Sequence, residues 1–152
     1  AKLMIVGDFS YRAVLEQRVK DMGLEKSVFF TGKVPFKERW DYFSLGKVFA
    51  FPSLTDTQAL VVNEASLIGL PTVWCDKGVN EVLQDKKSGI HSKNSVTHYA
   101  RALVQLLQNP ALSAEYGSCA RKLALESSEE AQTHKFVSML EEIIDRRSRD
   151  RD

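Results

Sequence analysis

Nothing in this chain points to a disulfide scaffold or a cysteine-based metal knot. It has two cysteines, Cys75 and Cys119, far apart and in no metal or redox spacing. Both sit in apolar patterns and read as buried free thiols in a reducing cytosol. An excess of one charge is also missing. With 21 basic and 20 acidic residues the net charge is +1, leaving no global field to draw the chain onto nucleic acid or an anionic membrane. No apolar run approaches the ~18 residues that would span a bilayer. A basic lead-in with a cleavage site is absent, and the chain opens directly on the strand-like AKLMIVG. That abrupt start suggests a piece of a longer protein. Histidine is sparse. His91, His98 and His134 fall on a strand and two helices without a nucleophile or ligand set, and read as structural or solvent-facing. There is no internal repeat and no low-complexity linker.

What is present fits one globular domain of ordinary size, with 152 residues, 43% hydrophobic. Strand-like and helix-like segments alternate. Leu3 to Gly7 is a short apolar run with the look of a strand buried on both faces. A helix is predicted from Tyr11 to Met22, capped by Ser10 and ended by Gly23. Ser27 to Gly32 is a second strand. Pro35 opens a short helix through Phe43, with Phe36, Trp40 and Phe43 on one core face. Lys47 to Ser53 is a third strand and Gln58 to Ile68 the next helix. Pro71 to Cys75 is a buried strand carrying Trp74. Asn80 to Leu83 is a short helix and Ser88 to Ser92 a weak fifth strand. Helices over 96–107, 111–125 and 129–144 complete the domain, separated by Asn109-Pro110 and Ser127-Ser128. The domain is placed at 1–145, and 146–152 (RRSRDRD) is read as a frayed charged tail.

Strands separated by helices imply right-handed crossovers and a Rossmann-like open parallel sheet with helices on both faces. Ligands bind such sheets at the carboxyl ends of the strands. The richest loop there is PSLTDTQALVVNEASLIGLP. A helix starting near Gln58 would offer the N–H groups of Gln58, Ala59 and Leu60 to an anion such as a diphosphate. Asp56 precedes it and Glu64 lies two turns in. Either would repel a bare phosphate, so as ligand groups they make sense only toward hydroxyls, such as sugar or ribose diols. The plain alternative is a surface helix with Asp56 or Thr57 as its cap and Glu64 on a solvated face, and on pattern alone that alternative is preferred. Glu81 is either a helix-start carboxylate or a ligand contact. Asp8 is read as a turn residue.

The stretch from Pro52 to Val73 resembles the signature of retaining GT-B glycosyltransferases of the glycogen-synthase-like group (family 4, group 1). Asp56 and Glu64 have seven residues between them, followed by Ala65 and then Gly69-Leu70-Pro71. LMIVGD, SVFFTGKVP and GVNEVLQDKKSGIHS resemble further segments of that group, in order, over nearly the whole chain. SLTDTQALVVNEAS is most similar to the branch that glycosylates lipid acceptors.

The resemblance implies the donor-binding, C-terminal half of the enzyme. Glu64 would bind the ribose hydroxyls. Asp56, the catalytic candidate, would contact the donor hexose. The amides of Gln58, Ala59 and Leu60 would hold the diphosphate and sugar. Backbone groups near Lys33 and Val34 would read the base, and Gly7 would let the first loop approach the ligand. Two positions depart from the pattern: Asp56 stands where Glu is usual and Ala59 where glycine is usual. The donor would be UDP-linked, as substrate, with no cofactor and no metal. The family's first strand, with its phosphate-neutralising Arg and Lys, has no counterpart, nor has the N-terminal acceptor domain. The chain alone is therefore expected to be inactive and able to dimerise through an uncovered sheet edge. The terminal amphipathic helix, with Phe136, Leu140, Ile143, Ile144 and the Arg146-Arg147 pair, would pack on the absent domain. The full-length enzyme would be cytoplasmic, at the inner face of the membrane. The competing readings are a non-catalytic nucleotide-sugar-binding domain and a flavodoxin-like regulatory module.

Overall fold

A computed structural model describes residues 1–149. It divides into two compact units, Ala1–Leu45 and the remainder from Gly46. The first holds β1 (Leu3–Val6), α1 (Arg12–Asp21), β2 (Val28–Gly32) and α2 (Arg39–Ser44). β1 and β2 pair in parallel, Leu3 opposite Val28. Gly23 ends α1 as anticipated, in the left-handed region at φ 65, with its N–H on the Lys20 carbonyl.

Three expectations for this unit are corrected. Ser10 does not cap α1. The N-cap position is Tyr11, and the Arg12 N–H is taken by the Phe9 carbonyl, so a backbone turn replaces the side-chain cap. β1 is not buried on both faces, since Leu3 and Val6 stay exposed. Phe36 is not core. Pro35–Glu38 forms a turn, with Glu38 N–H on the Pro35 carbonyl, so Phe36 falls outside the helical periodicity of Trp40 and Phe43. It is 71% exposed, with the Arg39 guanidinium 3.4 Å from its ring centre.

The second unit holds β3 (Phe49–Phe51), α3 (Leu60–Leu67), β4 (Thr72–Trp74), β5 (Gly89–His91), α4 (Val96–Gln108), α5 (Pro110–Glu126) and α6 (Glu129–Arg149). β3, β4 and β5 form a parallel sheet in that order, with Phe49 opposite Thr72 and Thr72 opposite Gly89. Neighbouring strand residues face opposite sides, and the core follows that rule. Trp74 packs with Phe51, Ala59, Val62 and Val79, whereas its neighbour Val73 packs with Ala102, Leu106 and Tyr116. The first cluster draws on α3 and the second on α4 and α5, so helices cover both faces. Burial pushes the Tyr99 phenol well above its ordinary range, and the nearby Cys75 adds to this; its hydroxyl donates to the Val73 carbonyl at 2.9 Å.

The Asn109-Pro110 break is as read: Pro110 opens α5, and the Asn109 side chain accepts from Leu112 N–H at 3.1 Å. The short helix at Asn80–Leu83 is absent. Asn80 Oδ1 accepts the Val82 N–H at 2.9 Å, giving a single capped turn. The Ser88 hydroxyl then ties that turn back by donating to the Val82 carbonyl at 2.6 Å. A short polar side chain has displaced the helical ladder. The tail is corrected in part: 146–149 continue α6, and 150–152 lie outside the described residues. The apolar stripe of α6, including Phe136, Leu140, Ile143 and Ile144, is exposed. No helix among the described residues is long and apolar enough to cross a membrane.

Candidate functional site

The three parallel strands of the second unit end at the loops that begin with Pro52, Cys75 and Ser92. Phe51 and Trp74, buried at the ends of β3 and β4, anchor the first two loops. The β3 loop runs from Pro52 to Ala59 and delivers the chain into α3 two residues later than anticipated, at Leu60. The delay has a clear cause. Ala59 lies in the left-handed region, at φ 45 and ψ 50, so the helix cannot begin before it. For a residue with a Cβ that geometry costs about 1–2 kcal/mol. The Ala59 methyl is only 3% exposed, within the cluster of Phe51, Val62, Trp74 and Val79. Burying one such group returns about 0.8 kcal/mol.

Asp56 holds this turn. Its Oδ1 accepts the N–H of Gln58 at 3.1 Å and of Ala59 at 2.6 Å. The expectation of open amides at these residues is thereby corrected. A carboxylate of the protein satisfies two of the three, because orphan donors at a helix start recruit the nearest short acid. Leu60 is exposed. Glu64 follows it by four residues, on the same side of α3, and is half-buried. The other side, with Val62, Ala65 and Ser66, is fully buried. Asp56, Gln58, Ala59, Leu60 and Glu64 therefore occupy the entry and outer side of one short helix.

One residue at this site escaped the sequence reading. Asn80, in the loop after β4, donates from Nδ2 to the Gln58 carbonyl at 2.8 Å and the Ala59 carbonyl at 3.4 Å. An asparagine beside Gly-Val at a strand-end loop is a turn signal, but nothing in the sequence shows that its turn meets Ala59. Glu81 is exposed beside it. Cys75, next in chain to Trp74, is half-buried rather than buried, as is Cys119. Burial raises the Cys75 thiol and favours its protonated form. His91 sits edge-on to Trp74, with Nε2 3.0 Å from the Cys75 carbonyl, which agrees with a structural role.

The remaining candidates belong to the first unit. Gly7, just past β1, has φ 117, a conformation that L side chains rarely adopt, and its N–H donates to the Gly32 carbonyl at 3.0 Å. Lys33 is exposed and Val34 half-buried in the loop that follows Gly32. Gly7, Lys33 and Val34 thus lie at the same, carboxyl end of the β1–β2 pair. Among the described residues no group of three or more His, Cys, Asp or Glu is placed to hold a metal ion.

Residues 1–109 match the family model described as "Glycosyl transferases group 1". The chain belongs to the group 1 glycosyl transferases. It is 31% identical over 134 residues to a GDP-mannose-dependent α-(1-6)-phosphatidylinositol monomannoside mannosyltransferase of Mycolicibacterium smegmatis, covering 82% of this chain and 35% of that protein. It is 29% identical over 144 residues to a poly(ribitol-phosphate) α-N-acetylglucosaminyltransferase of Staphylococcus aureus, covering 91% of this chain and 28% of that one. The chain thus spans about a third of the length of these curated relatives.

Among solved structures, S. aureus TarM, crystallised with fondaparinux, α-GlcNAc-glycerol and UDP, superposes with a TM-score of 0.79 at 26% identity, over 91% of this chain and 28% of that one. The sucrose-phosphate synthase of Thermosynechococcus elongatus gives 0.81 at 21% identity, over 94% and 38%, and shares the fold. The parallel α/β architecture of a GT-B C-terminal domain, anticipated from the group 1 resemblance, is what the chain adopts. Its Ala59, one of the two departures from the resembled pattern, has a left-handed backbone, the conformation glycine adopts most readily.

Proposed function

We propose that this chain is the donor-binding part of a retaining, metal-independent hexosyltransferase that uses a UDP-linked sugar. What supports the reading is an acid at each end of the α3 entry, inside the stretch matched by the family and at the carboxyl ends of parallel strands. Glu64 binds the ribose diol. Asp56 contacts the hexose. Gln58, Ala59 and Leu60 offer amides to the diphosphate, Lys33 and Val34 offer backbone to the base, and Gly7 leaves room for the first loop. As the glycosidic bond breaks, the sugar gains positive character and the diphosphate gains negative charge. Amides at a helix start stabilise the latter without reorganising. The arginine and lysine expected from an upstream strand would complete that role, and an N-terminal domain would supply the acceptor and cover the apolar stripe of α6. Two relatives carry glycolipids in their names, a phosphatidylinositol monomannoside and an α-monoglucosyldiacylglycerol. A lipid acceptor at the inner membrane face follows as part of the proposal. No cofactor is required.

Calorimetry of the chain with UDP, GDP and flavin mononucleotide tests the reading. UDP should bind and the flavin should not. Binding of the flavin with neither nucleotide would favour a regulatory flavodoxin-like module and sink the donor assignment.

The grip of Asp56 on the Gln58 and Ala59 amides sharpens the proposal, and also favours a second reading, a nucleotide-sugar binder without catalysis. In the catalytic reading, the diphosphate replaces Asp56 at those amides and the freed carboxylate turns to the hexose. Asp56→Asn keeps a good cap but removes the charge that competes with phosphate. UDP should bind the variant about 3- to 10-fold more tightly, as expected for removing about 1 kcal/mol of repulsion across solvent. Sugar transfer by the full-length protein should fall by about 10²-fold. Transfer left intact in that variant would assign Asp56 to the cap alone.

A further inference from the structure

We infer that Asn80 is the positioning residue that keeps the α3 entry in its donor-binding shape once Asp56 has let go. This rests on the donor-site reading above and deepens it. The peptide units of Gln58 and Ala59 are gripped on two sides. Their N–H groups are held by Asp56, two and three residues away in sequence, and their carbonyls by the Asn80 amide, which comes from the next strand-end loop. The two grips differ in what a ligand does to them. A diphosphate that takes the amides displaces the carboxylate, because both are acceptors competing for the same donors. The carbonyl side offers nothing to an anion, so Asn80 stays in place.

From that moment Asn80 opposes relaxation of the left-handed Ala59, beside the Val62 N–H on the Ala59 carbonyl at 2.8 Å and the buried Ala59 methyl. If Ala59 relaxes, the N–H vectors of Gln58 and Ala59 turn away from a common acceptor. Asn80 is in turn fixed at its other end, because its Oδ1 accepts the Val82 N–H. Only an amide can donate to the carbonyls and accept from Val82 at once. Aspartate at this position keeps the Val82 bond and places lone pairs against two carbonyl oxygens. Alanine removes both links.

The test is UDP affinity by calorimetry, beside thermal unfolding without ligand, for the wild-type chain, Asn80→Asp and Asn80→Ala. Both variants should bind UDP about 10-fold more weakly or worse, consistent with loss of one or two hydrogen bonds that keep the amides aimed at a common acceptor. Their melting temperatures without nucleotide should fall modestly, because the same bonds are made there beside those of Asp56. A general structural role would lower the melting temperature and leave the affinity of the folded fraction alone. Variants that fail to fold, or Asn80→Asp binding UDP as wild type does, overturn the assignment while leaving the donor reading standing. A wild-type chain that does not bind UDP overturns both.

Discussion

Glu64→Ala should weaken UDP binding to the chain by about 10²-fold or more. The size follows from the chemistry assigned to this carboxylate. A ribose presents two adjacent hydroxyls, and an ionised carboxylate accepts both. Hydrogen bonds to charged groups contribute about 1.5–3 kcal/mol each, and each tenfold in affinity is about 1.4 kcal/mol. The core side of α3 is Val62, Ala65 and Ser66, all fully buried, while Glu64 stands half-buried on the side of exposed Leu60. Alanine is also a better helix former than glutamate. Glu64→Gln keeps the shape and one acceptor, and should fall between the two. Calorimetry with UDP checks both variants. Unchanged affinity would refute the ribose role and, with it, the assignment of the acidic pair.

The long periodic helices and the buried strand around Trp74 were legible in the sequence because each is set by its own pattern. Asn109-Pro110 encodes a stop, a cap and a start within two residues, and the structure uses all three. The misreadings share a different cause. Ser10, Phe36 and the Asn80 turn were judged by local preference, and each was decided by a competing bond: the Phe9 carbonyl took the Arg12 N–H, the Pro35 turn displaced Phe36, and the Asn80 side chain took the Val82 N–H. The site was half legible. The family resemblance singled out Asp56 and Glu64 as candidates, and the capping alternative that the pattern alone preferred is the bonding Asp56 makes. The partnership of Asn80 with Gln58 and Ala59 spans more than twenty residues of sequence. It depends on β3 and β4 being neighbours, which no local pattern contains.

Gly89→Ala should cost about 3–5 kcal/mol of unfolding free energy, enough to put it among the exceptional single substitutions. A methyl at Gly89 would sit 1.9 Å from the Thr72 carbonyl oxygen and 2.8 Å from both its carbonyl carbon and its nitrogen. These are backbone atoms of the central strand β4, directly opposite in the ladder, so no side-chain rotation relieves the clash. β5 would have to move outward. That motion strains the Thr72 N–H bond to the Ser88 carbonyl at 3.2 Å and the Ser92 N–H bond to the Trp74 carbonyl at 2.8 Å. Thr72 is fully buried, and each buried backbone group left unpaired costs about 1–3 kcal/mol. Gly78→Ala is the informative control. Gly78 has φ 81 and open space around a built Cβ, so it should lose only the conformational preference, about 1 kcal/mol. Urea denaturation of both variants separates the two mechanisms, and a Gly89→Ala loss no larger than the control's would show that β5 does not press on β4 as described. The consequence reaches the site. Ser88, next to Gly89, donates its hydroxyl to the Val82 carbonyl and so ties down the turn that carries Asn80. Any Gly89→Ala protein that remains folded should therefore bind UDP more weakly, by the same route as Asn80→Ala.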